Sequence, residues 1–152
     1  TFMFESYDTM WWQIHEMLFI EKGGQEQIED ELSAYNPLIP QGQGLVATLM
    51  FEIDEPERRK KLLMQLGGVE EVCCLTINGE IVTGESEADV DRTTAAGKAS
   101  SVQVIHFNLS AKQIDMFKKP DTQVSLGINH SAYGHMAILD PKVRECLATD
   151  FD

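Results

Sequence analysis

Residues 69–83 read Val-Glu-Glu-Val-Cys-Cys-Leu-Thr-Ile-Asn-Gly-Glu-Ile-Val-Thr, two β-prone runs on either side of Asn78-Gly79. Asn-Gly is typical of a two-residue hairpin turn, because both residues accept the positive φ angles that a type I′ turn requires. The stretch therefore predicts a β-hairpin. Its first strand holds Cys73 and Cys74, and neighbouring strand residues point to opposite faces. Since Cys146 is far away and no Cys-x-x-Cys pair exists, we expect structural thiols.

Other strand-like and helical segments lie on both sides of this hairpin. Residues 45–53 form a near-continuous apolar run, which is typical of a strand in the middle of a sheet. Two further strands are predicted at residues 101–109 and 122–130. Helices are predicted at residues 9–22 and 25–35, between Asp54 and Gly67-Gly68, from Ser110 to Pro120, and after Asp140-Pro141. This order indicates one α+β domain over residues 1–152, with a mixed, mostly antiparallel sheet flanked by helices.

The first predicted helix, residues 9–22, is apolar on almost every side. Trp12, His15 and Phe19 lie on the face opposite Met10. A helix of this kind is covered on two sides. We expect the cover to come from a second subunit, which would make a homodimer, from chain that precedes the first residue, or from a partner protein. Trp12, His15 and Phe19 are therefore candidate interface residues.

The composition of the chain is acidic. Its 152 residues include 12 Lys and Arg against 25 Asp and Glu, which gives a formal net charge of −13. This surplus of carboxylates excludes general nucleic-acid binding, which needs Lys and Arg against the phosphates, and it disfavours docking on anionic lipid. No apolar run is long enough to span a membrane. Sparse cysteines are typical of a reducing compartment, so we expect a cytoplasmic protein.

Much of this negative charge is clustered. The second helix, residues 25–35, is predicted to face the core through Ile28, Leu32 and Tyr35 and to expose its carboxylates. A second cluster recurs at alternate positions of the polar stretch 84–100: Glu85, Glu87, Asp89 and Asp91. Because like charges on one strand face repel one another, we expect a solvated loop there. Both clusters are candidate docking surfaces for a basic partner.

Three histidines are the candidate metal ligands. His106 and His130 lie on predicted strands that could be neighbours in one sheet, and His135 follows across a short turn. Three imidazoles together with a carboxylate would suit Zn or Fe. Their spacing matches no established metal motif, however. The alternative is that His106 is a hydrogen-bonded core residue and His135 a surface residue.

Arg92 and Lys98 are the only basic side chains in the stretch 84–100, and they form a candidate anion-binding site. Gly97 and Lys98 match part of a phosphate-binding loop. That motif requires glycine where this chain has Arg92, and it requires a helix where a strand is predicted. The sequence therefore indicates local anion binding at most, and no nucleotide loop.

Five stretches carry a resemblance to a known family. They are Tyr7-Asp-Thr-Met-Trp-Trp-Gln-Ile-His-Glu-Met17, Ala34-Tyr-Asn-Pro-Leu-Ile-Pro40, Ala47-Thr-Leu-Met-Phe-Glu-Ile53, Gly97-Lys-Ala-Ser-Ser-Val102 and Gly127-Ile-Asn-His130. In this order the chain resembles an uncharacterised bacterial family that is classified as a domain of unknown function. The resemblance implies a mostly helical segment ahead of Thr1. Family members are often encoded beside rubrerythrin-like proteins and iron–sulfur proteins related to heterodisulfide reductases, which implies an accessory in cytosolic peroxide or redox metabolism.

The sequence leaves three kinds of function open. The leading hypothesis is a non-catalytic accessory or binding protein that docks on a rubrerythrin-like or iron–sulfur partner through its acidic surface and helix 9–22. The alternative is a small Fe- or Zn-dependent redox or hydrolytic enzyme that uses His106, His130 and His135. A sensor with a small-molecule pocket near Lys98 is the third.

Overall fold

The structure, a computed structural model, describes residues 1–87 and 93–151, and it confirms the α+β class. The strands are β1 (Phe2–Phe4), β2 (Gly44–Met50), β3 (Cys73–Ile77), β4 (Glu80–Thr83), β5 (Glu85–Ser86), β6 (Val102–Asn108), β7 (Val124–His130) and β8 (Tyr133–Ile138). The helices are α1 (Tyr7–Glu21), α2 (Gln25–Tyr35), α3 (Pro56–Leu63), α4 (Ala111–Lys118) and α5 (Pro141–Leu147). Short 3₁₀ turns cover Asn36–Leu38, Val69–Val72 and Ala148–Asp150.

The strands form two sheets of four strands each. The first sheet has the order β1-β2-β6-β5 and the second the order β4-β3-β7-β8, and all their pairings are antiparallel. The structure therefore differs from the expected single mixed sheet. The physical reason is that α4 carries the chain from β6 in the first sheet to β7 in the second, so the strands at its two ends do not pair.

One hydrophobic core is shared by both sheets. Alternate residues of β3 are buried in it, as expected for a strand with one face turned to a core. Its fully buried members include Ile105 and Phe107 from β6, Leu75 and Ile77 from β3, and Val124 from β7. Phe117 of α4 and the leucines that end α3 and α5 close the core.

The predicted hairpin is confirmed from Cys73 onward, whereas Val69–Val72 form a 3₁₀ turn instead of strand, and the chain leaves the hairpin at a crowded glycine. Asn78 and Gly79 have φ angles of 48° and 91°, as a type I′ turn requires. Gly84 follows and leads from the second sheet into the first, and its N–H donates to the Cys73 carbonyl at 2.8 Å. A Cβ at Gly84 would lie 2.4 Å from the Ile105 side chain, so the crossing requires glycine.

Helices α1 and α2 cover the outer face of the first sheet. There Met10 and Leu38 pack on Val46 and Val104, in a small cluster separate from the main core. The outer face of the second sheet instead carries exposed apolar side chains: Ile81, Met136 and Ile138. In the described parts of the chain, no helix is long and apolar enough to cross a bilayer.

The buried face of α2 differs from the prediction. Ile28 and Tyr35 are half-buried, but Leu32 is 40% exposed, while Gln27 and Glu31 are buried. The reason is that α1 offers polar partners to α2. Gln27 donates from its amide to the Met17 carbonyl at 3.3 Å and to the Glu31 carboxylate at 2.9 Å. The apolar pattern of α2 alone therefore gave the wrong face.

The buried face of α5 includes a charged residue. Leu147 and Arg144 are buried, whereas Val143 is exposed. The guanidinium of Arg144 donates to the Phe117 carbonyl at 2.7 Å and to the Pro120 carbonyl at 3.4 Å. Carbonyls at the end of a helix lack partners within the helix, so a buried arginine can stabilise α4 there.

Candidate functional site

The outer side of α1 exposes several large apolar side chains. The helix begins at Tyr7, two residues before the predicted start at residue 9, and the hydroxyl of Ser6 accepts the Thr9 N–H at 3.2 Å. Trp12 and Phe19 are 62% and 74% exposed. Because they lie seven residues apart, helical periodicity places both on one stripe of α1. The structure thus leaves two predicted interface residues accessible together.

His15 lies on the same side of α1 and is held by its own helix. Its Nδ1 lies 2.8 Å from the Trp11 carbonyl oxygen, and the rings of His15 and Trp11 have centroids 4.0 Å apart. His15 is exposed. Its imidazole is therefore part of an aromatic surface together with Trp11, Trp12 and Phe19.

The α1–α2 hairpin, residues 7–35, buries Gln27 and Glu31 as well as the apolar Met10 and Ile14, and it exposes further apolar side chains on its outside. Gln27 binds α1 through the Met17 carbonyl and the Glu21 carboxylate, the latter at 3.0 Å. Leu32 and Phe19 meanwhile face solvent. In a hairpin that only covers a sheet, apolar residues face inward. Here large apolar residues also lie on the outward side, and an exposed apolar patch of this kind is typical of a surface that binds another molecule.

The hairpin also carries much of the negative charge. Residues 7–35 contain seven Asp and Glu and one Lys, which is a net charge of −6 out of the −13 of the chain. The hairpin therefore combines exposed aromatic side chains with a strongly acidic surround.

A cavity of about 580 Å³ lies beneath the hairpin, between α1, α2 and the outer face of the first sheet. Its lining includes Met3, Met10, Gln13, Tyr35 and Met50. Glu5 also lines it and is only 2% exposed. The cavity is thus mostly apolar and holds a buried carboxylate.

The Glu5 carboxylate is held by two threonines. One oxygen accepts the hydroxyl of Thr9 at 2.7 Å, and the other accepts the hydroxyl of Thr48. The Glu5 N–H donates to the Val46 carbonyl at 2.8 Å. Within the described residues, Glu5 forms no ion pair. The carboxylate is therefore fixed in position without a neutralising charge.

The three candidate histidines do not come together. His106 pairs with Val46 on the outer face of the first sheet, whereas His130 lies in the second sheet. The expectation that their strands are neighbours in one sheet is therefore wrong. His130 uses both ring nitrogens, since Nδ1 accepts the Ala132 N–H at 3.1 Å and Nε2 lies 3.2 Å from the Gly67 carbonyl. His135 lies on the exposed strand β8. Across residues 1–87 and 93–151, no group of three or more His, Cys, Asp or Glu could hold a metal ion. A metal role for these histidines stays a prediction.

The stretch 84–100 is only partly a loop. Glu85 begins β5, where its carboxylate accepts the Asn108 amide at 3.0 Å, and Glu87 lines the cavity beneath the hairpin. The expectation of a solvated loop is therefore wrong at Glu85 and Ser86. Asp89, Asp91 and Arg92 lie outside the described residues.

Lys98 is half-buried in a turn, and its carbonyl accepts the Thr94 N–H at 2.9 Å. The anion-binding role of Lys98 stays a prediction.

The cysteines are free, and two of them lie on opposite faces of β3 as predicted. Cys73 is buried in the core, and burial, followed by the nearby Cys74 and Glu70, raises the pKa of its thiol to about 12. A thiol of this pKa stays protonated at neutral pH and is a poor nucleophile. Cys73 therefore has the properties of a structural thiol.

Two features were missed from the sequence. The burial of Glu5 depends on Thr48, which is far away along the chain, so no local pattern could predict it. A run of four basic residues, 58–61, was visible in the sequence of this acidic chain and lies on α3, where Arg58, Lys60 and Lys61 are exposed. Among the described residues these three form no salt bridge.

Comparison with known proteins gives a family and a fold relative. The model of a family described as protein of unknown function (DUF3501) matches residues 1–151. A crystal structure of a novel protein of unknown function from Burkholderia pseudomallei K96243 is similar, with a TM-score of 0.89 and 36% sequence identity. The match covers 99% of this chain and 79% of that chain. No curated protein matches the sequence.

Proposed function

Because this chain belongs to the DUF3501 family, whose function is unknown, we propose from its surface that it is a non-catalytic binding protein. The binding surface is the outer side of the α1–α2 hairpin, and its partner is another protein. The observation that carries the proposal is the exposure of Trp12 and Phe19 on a hairpin whose polar residue Gln27 is buried.

Exposed aromatic residues support protein binding because they gain most when a partner covers them. Trp and Tyr are the residue types that most often dominate interface energies, and a hydrophobic centre with a polar rim is the usual interface anatomy. Trp12 and Phe19 provide the apolar centre, and Glu16 and the carboxylates of α2 provide a charged surround.

The charge of the hairpin indicates the kind of partner. With a net charge of −6 on residues 7–35, the hairpin attracts a protein whose apolar patch is bordered by Lys and Arg. Two hairpins facing each other across a two-fold axis would repel, so a symmetric dimer through this surface is disfavoured. The basic run at residues 58–61 could instead bind the acidic hairpin of a second copy, and this head-to-tail contact is the alternative to another protein as partner.

The identity of the partner is the finer part of the proposal. We take it to be a rubrerythrin-like or iron–sulfur protein of the cytoplasm, which is what the resemblance of the sequence to its family implies. In this role the protein would act as an accessory in redox or peroxide metabolism and would itself carry no reaction centre.

The test is binding of rubrerythrin-like and iron–sulfur proteins from the same genome, measured by titration calorimetry. A Trp12→Ala/Phe19→Ala variant should lose about 10- to 100-fold in affinity, since truncating central aromatic residues is costly in interfaces. An Ile81→Ala/Met136→Ala variant is the matched control, because these side chains are 67% and 69% exposed on the other side of the molecule.

The control should bind as the unmodified protein does. Equal losses in the two variants, or no loss in the first, would contradict the hairpin as the docking surface. Analytical sedimentation of the protein alone tests the head-to-tail contact between copies. If the protein self-associates and Arg58→Glu/Lys61→Glu abolishes the association, the hairpin binds a second copy instead of another protein.

A further inference from the structure

We propose that the cavity beneath the α1–α2 hairpin binds a small organic cation, an amine or guanidinium with an apolar body, whose charged group pairs with Glu5. The site lies on the opposite side of α1 from Trp12 and Phe19. The inference thus goes beyond the docking proposed above, and either can fail without the other.

The first support is the state of Glu5. A buried carboxylate is costly unless a cation or several hydrogen bonds compensate for its lost hydration. Glu5 has one hydroxyl donor on each oxygen, from Thr9 and Thr48, and no ion pair within the described residues. Because each carboxylate oxygen has two acceptor positions, both retain capacity for a further donor. An ammonium or guanidinium group supplies that donor together with the missing positive charge.

The second support is the lining of the cavity. Met3, Met10 and Met50 form flexible apolar walls, and methionine adapts its shape to varied ligands. Gln13 and Tyr35, whose amide and hydroxyl are 3.4 Å apart, add neutral polar groups at the helical side. No Lys, Arg or His is among the described lining residues. The lining therefore favours a cation with an apolar body and disfavours an anion.

The third support is size and access. A volume of about 580 Å³ is in the range of ordinary small-molecule sites. Met3 and Val102 both line the cavity and are 40% exposed, so they stand where it reaches solvent. A ligand of modest size can therefore enter past Met3 and Val102.

The test uses alkyl probes that differ only in their head group. Alkylammonium and alkylguanidinium ions from butyl to octyl, the matching alcohols and the matching carboxylates are titrated into the protein and followed by calorimetry and thermal shift. At least one cation should bind saturably at one site per chain, whereas the alcohol and carboxylate of equal length should not bind.

The variants assign the binding to Glu5. Glu5→Gln keeps the shape of the side chain and should weaken the cation about 10- to 100-fold, as expected for losing a hydrogen bond to a charged group. Glu31→Gln is the matched control, because Glu31 is also a buried acid on the hairpin but does not line the cavity, and it should bind as the unmodified protein does. Ala34→Trp, an exposed α2 residue that lines the cavity, should block binding with Glu5 intact.

Two results would overturn the proposal. One is the absence of saturable binding by every cation in the series. The other is binding that Glu5→Gln and Ala34→Trp leave unchanged. If Glu5→Gln fails to fold, the Ala34→Trp variant and the head-group series still test whether the cavity binds a cation.

Discussion

The two sheets share one core but differ in what lies on their outer faces. The outer face of the first sheet is covered by the α1–α2 hairpin, which encloses Glu5 and a cavity. The outer face of the second sheet is exposed, with Ile81 and Met136 among scattered polar residues. Apolar side chains interspersed with polar ones on a sheet face are ordinary. A covering layer that exposes apolar residues on its outside and encloses a buried carboxylate beneath it is unusual. We therefore place the function at the hairpin.

The shared core can be tested by removing its central aromatic ring. Phe107→Ala should lower the free energy of unfolding by about 3–5 kcal/mol, because it removes a fully buried ring between the sheets. Urea denaturation followed by far-UV circular dichroism measures the loss. His106→Ala, on the opposite face of the same strand, should cost much less. An equal cost at both positions would contradict a core that lies between the two sheets.

The next largest effect on the free energy of unfolding is expected at Gly84, where the chain crosses between the sheets. Gly84→Ala should destabilise the protein by about 1–3 kcal/mol, since its Cβ would meet the Ile105 side chain. Gly134→Ala is the matched control on β8, where the nearest atom would lie 3.9 Å away, and it should be nearly neutral in the same urea experiment. If Gly84→Ala left the free energy of unfolding unchanged, residue 84 and the Ile105 side chain would be farther apart than in the structure.

The core thiol gives a smaller, pH-dependent effect. The pKa of Cys73 is raised in the folded state from 9.0 to about 12, so between these values the unfolded chain has released a proton that the folded chain keeps. The free energy of unfolding should therefore fall as pH rises through this window. Urea titrations below and above pH 9.0 should show a steeper fall in the unmodified protein than in Cys73→Ala. Equal slopes would mean that the thiol titrates normally.

The smallest effect on stability is expected at the docking surface. Trp12→Ser/Phe19→Ser should change the free energy of unfolding by less than about 0.5 kcal/mol, because exposed side chains contribute little to folding. Ile81→Ser/Met136→Ser provides the same comparison on the second sheet. A large loss for the hairpin pair alone would mean that these rings support the fold, which would weaken the case that they serve a partner.

Local signals in the sequence predicted much of this fold. The Asn78-Gly79 turn and the start of a helix at Ser110 are both confirmed, because each depends on residues a few positions apart. Strand β8 was missed, since all its residues are exposed and it lacks the alternation of a half-buried strand.

The parts of the site that escaped prediction depend on contacts between distant segments. Gln27 is buried because α1 offers it partners, and Glu5 because β2 brings Thr48 to it. The separation of His106 from His130 follows from the division of the strands into two sheets, which no local pattern records. Trp12 and Phe19 could be predicted as a surface, since helical spacing alone puts them on one side.

The central claim is that the outer side of the hairpin is the docking surface, and the two tryptophans test it directly. Both tryptophans of the chain, Trp11 and Trp12, lie on α1. Labelled with 5-fluorotryptophan, they give two fluorine resonances that report on this surface alone. Adding an unlabelled rubrerythrin-like or iron–sulfur partner should shift and broaden the Trp12 resonance, with a midpoint equal to the calorimetric affinity. Complex formation that leaves both resonances unchanged would contradict the account.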